Sequence, residues 1–228
     1  MTNIFDSNTK NYQQEIEKYS GVFGKKHDFF IQDKINLLRT AFGDVGELKS
    51  LKVLDIGCGI GLGHDAISEM IKELHGVDVS AESLKLAKEN NPGVSYANYD
   101  GLKLPYESNA FDCAYAICVM HHVPKPQWEK FVEEMLRVVR PGGQIAVIEH
   151  NPINPGTQWI VRNIELDRDA VLLTAWKSRN LFRKAGATMI KVDYTLFTPF
   201  AHSFFRKLDR ILSWLPLGAQ YIATARKK

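Results

Sequence analysis

Residues Lys52 to Gly63 read KVLDIGCGIGLG, an apolar run that passes straight into a turn with glycine at 57, 59, 61 and 63. A strand that empties through glycines into a helix lets the main chain approach a ligand closely and aims helix N-terminal amides at it. The dinucleotide fingerprint G-x-G-x-x-G needs its third glycine at position 62, which here is Leu62. Asp55 stands two places before the first glycine, where it attracts the ammonium of an amino-acid-bearing cofactor and gives no help to a pyrophosphate. The turn therefore favours a cationic cofactor over a nicotinamide.

From Lys52 onward short apolar runs alternate with amphipathic stretches, the pattern of strands joined by crossover helices in a parallel sheet. It predicts α/β architecture, with strands at 52–56, 74–78, 94–98, 111–118 and 144–149 and helices near 63–72, 81–90 and 127–139. Ser80 is the expected N-cap of the second helix. Pro141-Gly142-Gly143 should end a helix and turn the chain into the next strand. A further helix near 174–185 precedes β-rich runs at 189–197 and 219–227, which complete seven strands. Two more carboxylates fall at strand ends. Asp78, with Val79 after it, closes LHGVDVS at a distance from the glycine turn suited to ribose hydroxyls. Asp100 and Gly101 follow VSYANY, where a carboxylate can accept a bond from an adenine amino group.

The pieces VLDIGCGIGLG, HGVDVS, NYDGLKLPYESNAFDCAYAICVMHHV and MLRVVRPGGQIAVIE occur in an order and at spacings that resemble the class I S-adenosylmethionine-dependent methyltransferases, in particular the methyltransferase 11 small-molecule subgroup. The resemblance covers roughly residues 50–150. It implies a Rossmann-like sheet of seven mostly parallel strands with an antiparallel last strand and helices on both faces. It further implies that Asp55, Gly57, Cys58 and Gly59 line the methionine part of S-adenosylmethionine, Asp78 the ribose, Asp100 and Gly101 the adenine, with Val79 also cofactor-binding, and that Cys118 lies beside the cofactor.

A sulfonium already activates its methyl group, so the protein need only hold an acceptor in line and, for oxygen or nitrogen acceptors, take a proton. The candidates are His121 and His122 after the fourth strand and Glu149 and His150 after the fifth. Each has an ordinary alternative: a loop histidine often caps a helix or packs beside a cofactor, and positioning alone can suffice. Cys118 reads more readily as a cofactor wall than as a nucleophile. No metal is required.

With 228 residues, 45% hydrophobic content and a formal charge of +3, the chain reads as a single globular domain with no nucleic-acid footprint. Three cysteines without zinc or disulfide spacing, no signal-peptide pattern and no long apolar run suggest a cytoplasmic setting. The acceptor, whether small molecule, glycan or lipid-linked, should be read by the flanks. These are an N-terminal helical lid over 1–45, whose aromatics are Tyr12, Tyr19, Phe23, Phe29 and Phe30, and insertions at 151–173 and 198–217. In the second insertion Phe204, Leu208, Ile211, Leu212 and Leu215 recur at helical spacing opposite Arg206, Lys207 and Arg210. Such a helix can pack on the sheet, or it can touch a membrane surface through residues 201–215. A non-catalytic binding or activator subunit on the same fold is the competing class, against which the intact Asp55, Asp78 and Asp100 stand.

Overall fold

A computed structural model describes residues 27–43, 45–163, 170–198 and 203–228. Seven strands form one sheet in the order β3-β2-β1-β4-β5-β7-β6. They are β1 (Lys52–Ile56), β2 (Glu73–Asp78), β3 (Ser95–Asn98), β4 (Phe111–Ile117), β5 (Val139–His150), β6 (Thr188–Thr195) and β7 (Gln220–Arg226). The pairs β1·β2, β1·β4, β2·β3 and β4·β5 are parallel, whereas β7 runs antiparallel to both β5 and β6. The expected mixed sheet with its antiparallel last strand is thus present. The order reverses between β1 and β4, and in an open α/β sheet that switch point opens a crevice at the strands' carboxyl ends.

Period-2 alternation distributes the strand side chains between two cores. Leu54, Ala114, Ala116, Ile145, Val147, Tyr221 and Ala223 face one side, with Phe131, Val132 and Met135 of α4 (Trp128–Val138) and Leu181 and Phe182 of α6 (Ala175–Lys184). Val53, Cys113, Tyr115, Ala146, Ile148 and Ile222 face the other, with Ile35, Leu38 and Phe42 of α1 (His27–Gly43). The helices therefore cover both faces. The remaining helices are α2 (His64–Ser68), α3 (Ala81–Asn90), α5 (Pro155–Asn163) and α7 (Ser203–Ile211). Ser80 caps α3 as expected, its hydroxyl accepting from the Ser83 amide at 3.1 Å.

Several boundaries differ from expectation. The helix expected over 63–72 ends at Ser68, and Ile71 reaches the core from the turn that follows. Helix α4 stops at Val138, before the Pro-Gly-Gly run, and β5 continues through that run with a register shift against β4 between Phe111 and Cys113. Gly143 is required there, since a side chain would meet the Asp112 carbonyl at 2.3 Å. The first insertion holds helix α5, up to Asn163. Tyr12, Tyr19 and Phe23, the start of the lid, and residues 164–169 and 199–202 lie outside the described residues.

Candidate active site

The glycine turn closes β1 against β2. The amides of Gly57 and Cys58 both donate to the Val77 carbonyl, at 2.8 and 3.0 Å. Gly57 has φ +75°, and a Cβ there would lie 2.5 Å from Val119, so the tips of β1 and β4 can come together only around glycine. At Gly59, φ +52°, a Cβ would meet nothing, and the main chain there borders open space. Next to it sits the Asp78 carboxylate, 8% exposed. One of its oxygens accepts from the Gly59 amide and the other from the Ser80 amide, both at 2.8 Å. Burial holds this carboxyl above its ordinary value, with the two amides offsetting only part of the cost. A carboxylate offers about four acceptor sites, so beyond its backbone amides this one can still take donors such as a ribose diol.

Asp55 is engaged by a residue that the sequence did not point to. His64 Nε2 lies 2.8 Å from Asp55 Oδ2, and its Nδ1 lies 2.7 Å from the Tyr96 hydroxyl. A carboxylate only accepts, so Nε2 carries the proton, and in the neutral ring Nδ1 accepts from Tyr96. His64 stacks on Tyr96 at 12°. This relay fixes Asp55 under the turn. The Cys58 thiol is buried and pushed well up, first by desolvation and then by Asp55 and Asp78, so it packs as a neutral wall. Asp100 is exposed, and its Oδ1 accepts from the amides of Leu102 at 2.8 Å and Lys103 at 2.9 Å. Those two bonds lower its carboxyl and shape the loop beside Gly101.

At the tips of β4 and β5 the four candidate acid–base residues divide into two kinds. His121 and Glu149 are enclosed, both side chains at 0% exposure, with His121 Nδ1 donating to Glu149 Oε2 at 2.5 Å. The other oxygen of Glu149 accepts from the amides of Val119 at 3.1 Å and Met120 at 2.7 Å. Desolvation pushes the Glu149 carboxyl up, but His121, His150 and the Met120 amide together outweigh it and leave it below its ordinary value. This pair ties the turn after β4 to β5. His122 and His150 are only half-buried, with ring centroids 4.2 and 5.4 Å from His121.

Cys118 adopts φ +56°, a left-handed conformation that costs a non-glycine residue energy, while its amide donates to the Ile148 carbonyl at 2.8 Å. The turn aims its thiol at Lys34 Nζ, 3.9 Å away on α1, and Gln220 Nε2, 3.8 Å away at the start of β7. Burial raises the thiol, but Lys34 and His150 bring it below its ordinary value. Lys34 and Gln220 come from segments far from the glycine turn in sequence, and no local pattern singles them out. Among the described residues no group of three His, Cys, Asp or Glu is placed to hold a metal.

Residues 54–147 match the family model described as a methyltransferase domain. Two curated relatives illustrate the similarity. The phthiotriol/phenolphthiotriol dimycocerosates methyltransferase 1 of Mycobacterium ulcerans is 30% identical over 135 residues, 56% of this chain and 48% of that protein. The demethylmenaquinone methyltransferase of Staphylococcus aureus is 28% identical over 155 residues, 63% of each. The chain spans about half the length of most of the curated relatives it matches. A Thermotoga maritima structure, described as an S-adenosylmethionine-dependent methyltransferase and possible histamine N-methyltransferase, superposes over all of both chains with TM-score 0.74 at 20% identity. The phosphoethanolamine N-methyltransferase 2 of Haemonchus contortus, solved with S-adenosylmethionine, gives TM-score 0.61 at 20% identity over 87% of this chain and 56% of that one. At such identities the structural likenesses bear on the fold alone.

Proposed function

From the premise that residues 54–147 are a class I S-adenosylmethionine-dependent methyltransferase domain of the methyltransferase 11 type, we propose that this chain moves the cofactor's methyl group to a small-molecule or lipid-linked acceptor. The observation that carries the reading is the buried Asp78 carboxylate, held by the Gly59 and Ser80 amides beside an open glycine turn. When bound, S-adenosylmethionine supplies a methyl group already activated by its sulfonium. Asp78 accepts from the ribose hydroxyls. Asp55, steadied by His64, faces the methionine ammonium, and Gly57, Cys58 and Gly59 line its path. Val79, Asp100 and Gly101 border the adenine. Cys118, in its left-handed turn past the tip of β4, would border the reacting end. His121 and Glu149 act as a brace, and proton removal, where the acceptor needs it, falls to the half-buried His122 or His150.

Calorimetry on the purified chain tests this. S-adenosylmethionine and S-adenosylhomocysteine should both bind, and NAD should give no heat. Heat from NAD alone would return the chain to the oxidoreductases.

One further observation favours an amphiphilic acceptor. Helix α7 docks on α1 through Arg206, whose guanidinium lies 3.2 Å from Asp33 and 4.7 Å from the centre of the Phe29 ring. Arg206, expected on the outward basic side, is therefore turned inward, and Ile211, expected on the packed side, is exposed. Trp214, 72% exposed, and Leu217 follow it. Asn151 and Asn154 bond the carbonyls of Pro216, Leu217 and Gly218, so this loop sits beside exposed Ile153 and Trp159 near the start of α5. Exposed Lys207 and Arg210 flank it. Aromatic and aliphatic side chains edged by cations suit the interface of an anionic membrane. No described helix is long and apolar enough to cross one. Phosphatidylglycerol vesicles should co-sediment the chain, and Trp214→Ala combined with Ile211→Ala should lower the bound fraction several-fold. Equal recovery with neutral phosphatidylcholine vesicles would remove the cationic part of the argument, and no recovery with either would remove the membrane.

A further inference from the structure

Lys34 is a half-buried cation whose one described partner is a thiol, that of Cys118 just past the carboxyl end of β4. Around it stand three groups from three other elements. Cys118 ends β4. His150 ends β5, and Gln220 opens β7 directly opposite His150 in the strand register. Gln220 Nε2 lies 3.8 Å from Cys118 Sγ and 3.4 Å from His150 Nδ1. The other end of that amide, Oε1, is buried with no partner among the described residues, although Gln220 as a whole is only 6% exposed. A buried amide end left without a partner is costly, and its position in the cluster points to a ligand that completes it. The nearby charge of Glu149 is directed inward to His121 and two backbone amides, so it does not cancel Lys34.

Resting on the methyltransferase reading, we infer that Lys34, His150 and Gln220 form the acceptor subsite and that it takes an ionisable hydroxyl, of the phenol or enol class. A hydroxyl both donates and accepts, so it satisfies the unpartnered end of Gln220 whichever way the amide is turned. On ionisation its oxygen becomes an anion beside the Lys34 ammonium. An amine is disfavoured by the same cation, because nitrogen gains positive charge as it takes the methyl. The proton leaves the hydroxyl for the His150 ring. The oxygen's electron pair forms the new O–C bond as the C–S bond breaks, and the latter's pair returns to sulfur, which ends neutral. The low-lying Cys118 thiol reports the same positive surroundings.

The probe is 4-nitrophenol, whose neutral and ionised forms absorb at different wavelengths, added to the full chain saturated with S-adenosylhomocysteine. Bound probe should ionise about tenfold more readily than free probe. Lys34→Met should abolish that gain, Lys34→Arg should keep it, and Gln220→Leu should weaken binding several-fold with the gain intact. Benzylamine should not compete. The inference is overturned if the probe stays unbound or neutral, or if benzylamine competes equally. It is also overturned if Lys34→Met weakens S-adenosylhomocysteine itself and leaves the ionisation unchanged, which would give Lys34 to the cofactor's carboxylate. Failure of S-adenosylhomocysteine to bind the unaltered chain would instead defeat the methyltransferase reading, and this inference with it.

Discussion

Replacing Glu149 with alanine should lower the stability of the folded chain by about 3–5 kcal/mol, the cost of removing one partner from a buried ion pair. Glu149 and His121 have no exposed side-chain surface, so nothing from solvent can take the place of the lost carboxylate. The truncation strands His121 Nδ1 and the amides of Val119 and Met120 together. Glu149→Gln keeps an oxygen for the amides but loses the charge and the acceptor facing His121 Nδ1, so it should cost less than alanine, about 1–3 kcal/mol. Urea unfolding of the three proteins, at unchanged denaturant slope, measures the order. Equal midpoints for the alanine and glutamine variants would show that the bonds to the two amides carry no weight in the brace.

The same carboxyl sets a pH dependence. Its folded value lies below its ordinary one, so the ion pair's contribution is complete above the unfolded carboxyl range, near about 4.3, and is lost as pH falls through the lower folded value. Glu134, lowered chiefly by its bond to Arg137, adds in the same direction and the same window. Acid unfolding of Glu149→Gln should therefore be shallower than that of the unaltered chain.

Much of the fold was legible because its signals are local. KVLDIGCGIGLG announces a strand, a turn and a helix within twelve residues, and the continuous buried runs of β4 and β5 are carried by neighbours in sequence. Asp55 and Asp78 could be placed at strand ends for the same reason. Their settings could not be read. The His64 ring that engages Asp55 lies across the turn, and its other partner Tyr96 belongs to β3, so the relay exists only once β1, β2 and β3 are paired. Lys34 and Gln220 meet Cys118 from 84 and 102 residues away. The helical spacing in 201–215 identified α7 but not which side faces inward, because that side is decided by Asp33 and Phe29 on α1. The Pro-Gly-Gly run was read as a break between elements. The strand runs on through it, because the register shift against β4 absorbs the turn.

Asp78→Ala should weaken S-adenosylhomocysteine binding by about 1.5–3 kcal/mol, roughly ten- to a hundredfold, the scale of a hydrogen bond to a charged group. The site explains why the loss should fall on binding more than on folding. Burial holds this carboxyl above its ordinary value, so ionising it in the folded chain costs more than ionising a free carboxyl. By the sign of that shift the charge on Asp78 costs stability as pH rises through the folded value, the opposite of Glu149. On the proposed reading, what the charge provides is a pair of acceptors for the ribose hydroxyls. The alanine variant does orphan the Gly59 and Ser80 amides, and it should unfold somewhat earlier for that reason. Asp78→Asn separates the two effects, since its single carbonyl oxygen keeps one amide and offers the ribose one acceptor where there were two. The order of affinities expected from calorimetry is the unaltered chain, then asparagine, then alanine, and for the unaltered chain affinity should fall on acidification at a pH above the ordinary aspartate range of about 3.9. Affinity independent of residue 78 would move the ribose elsewhere along the edge. The buried carboxylate would then be left with a stability cost and no ligand to offset it.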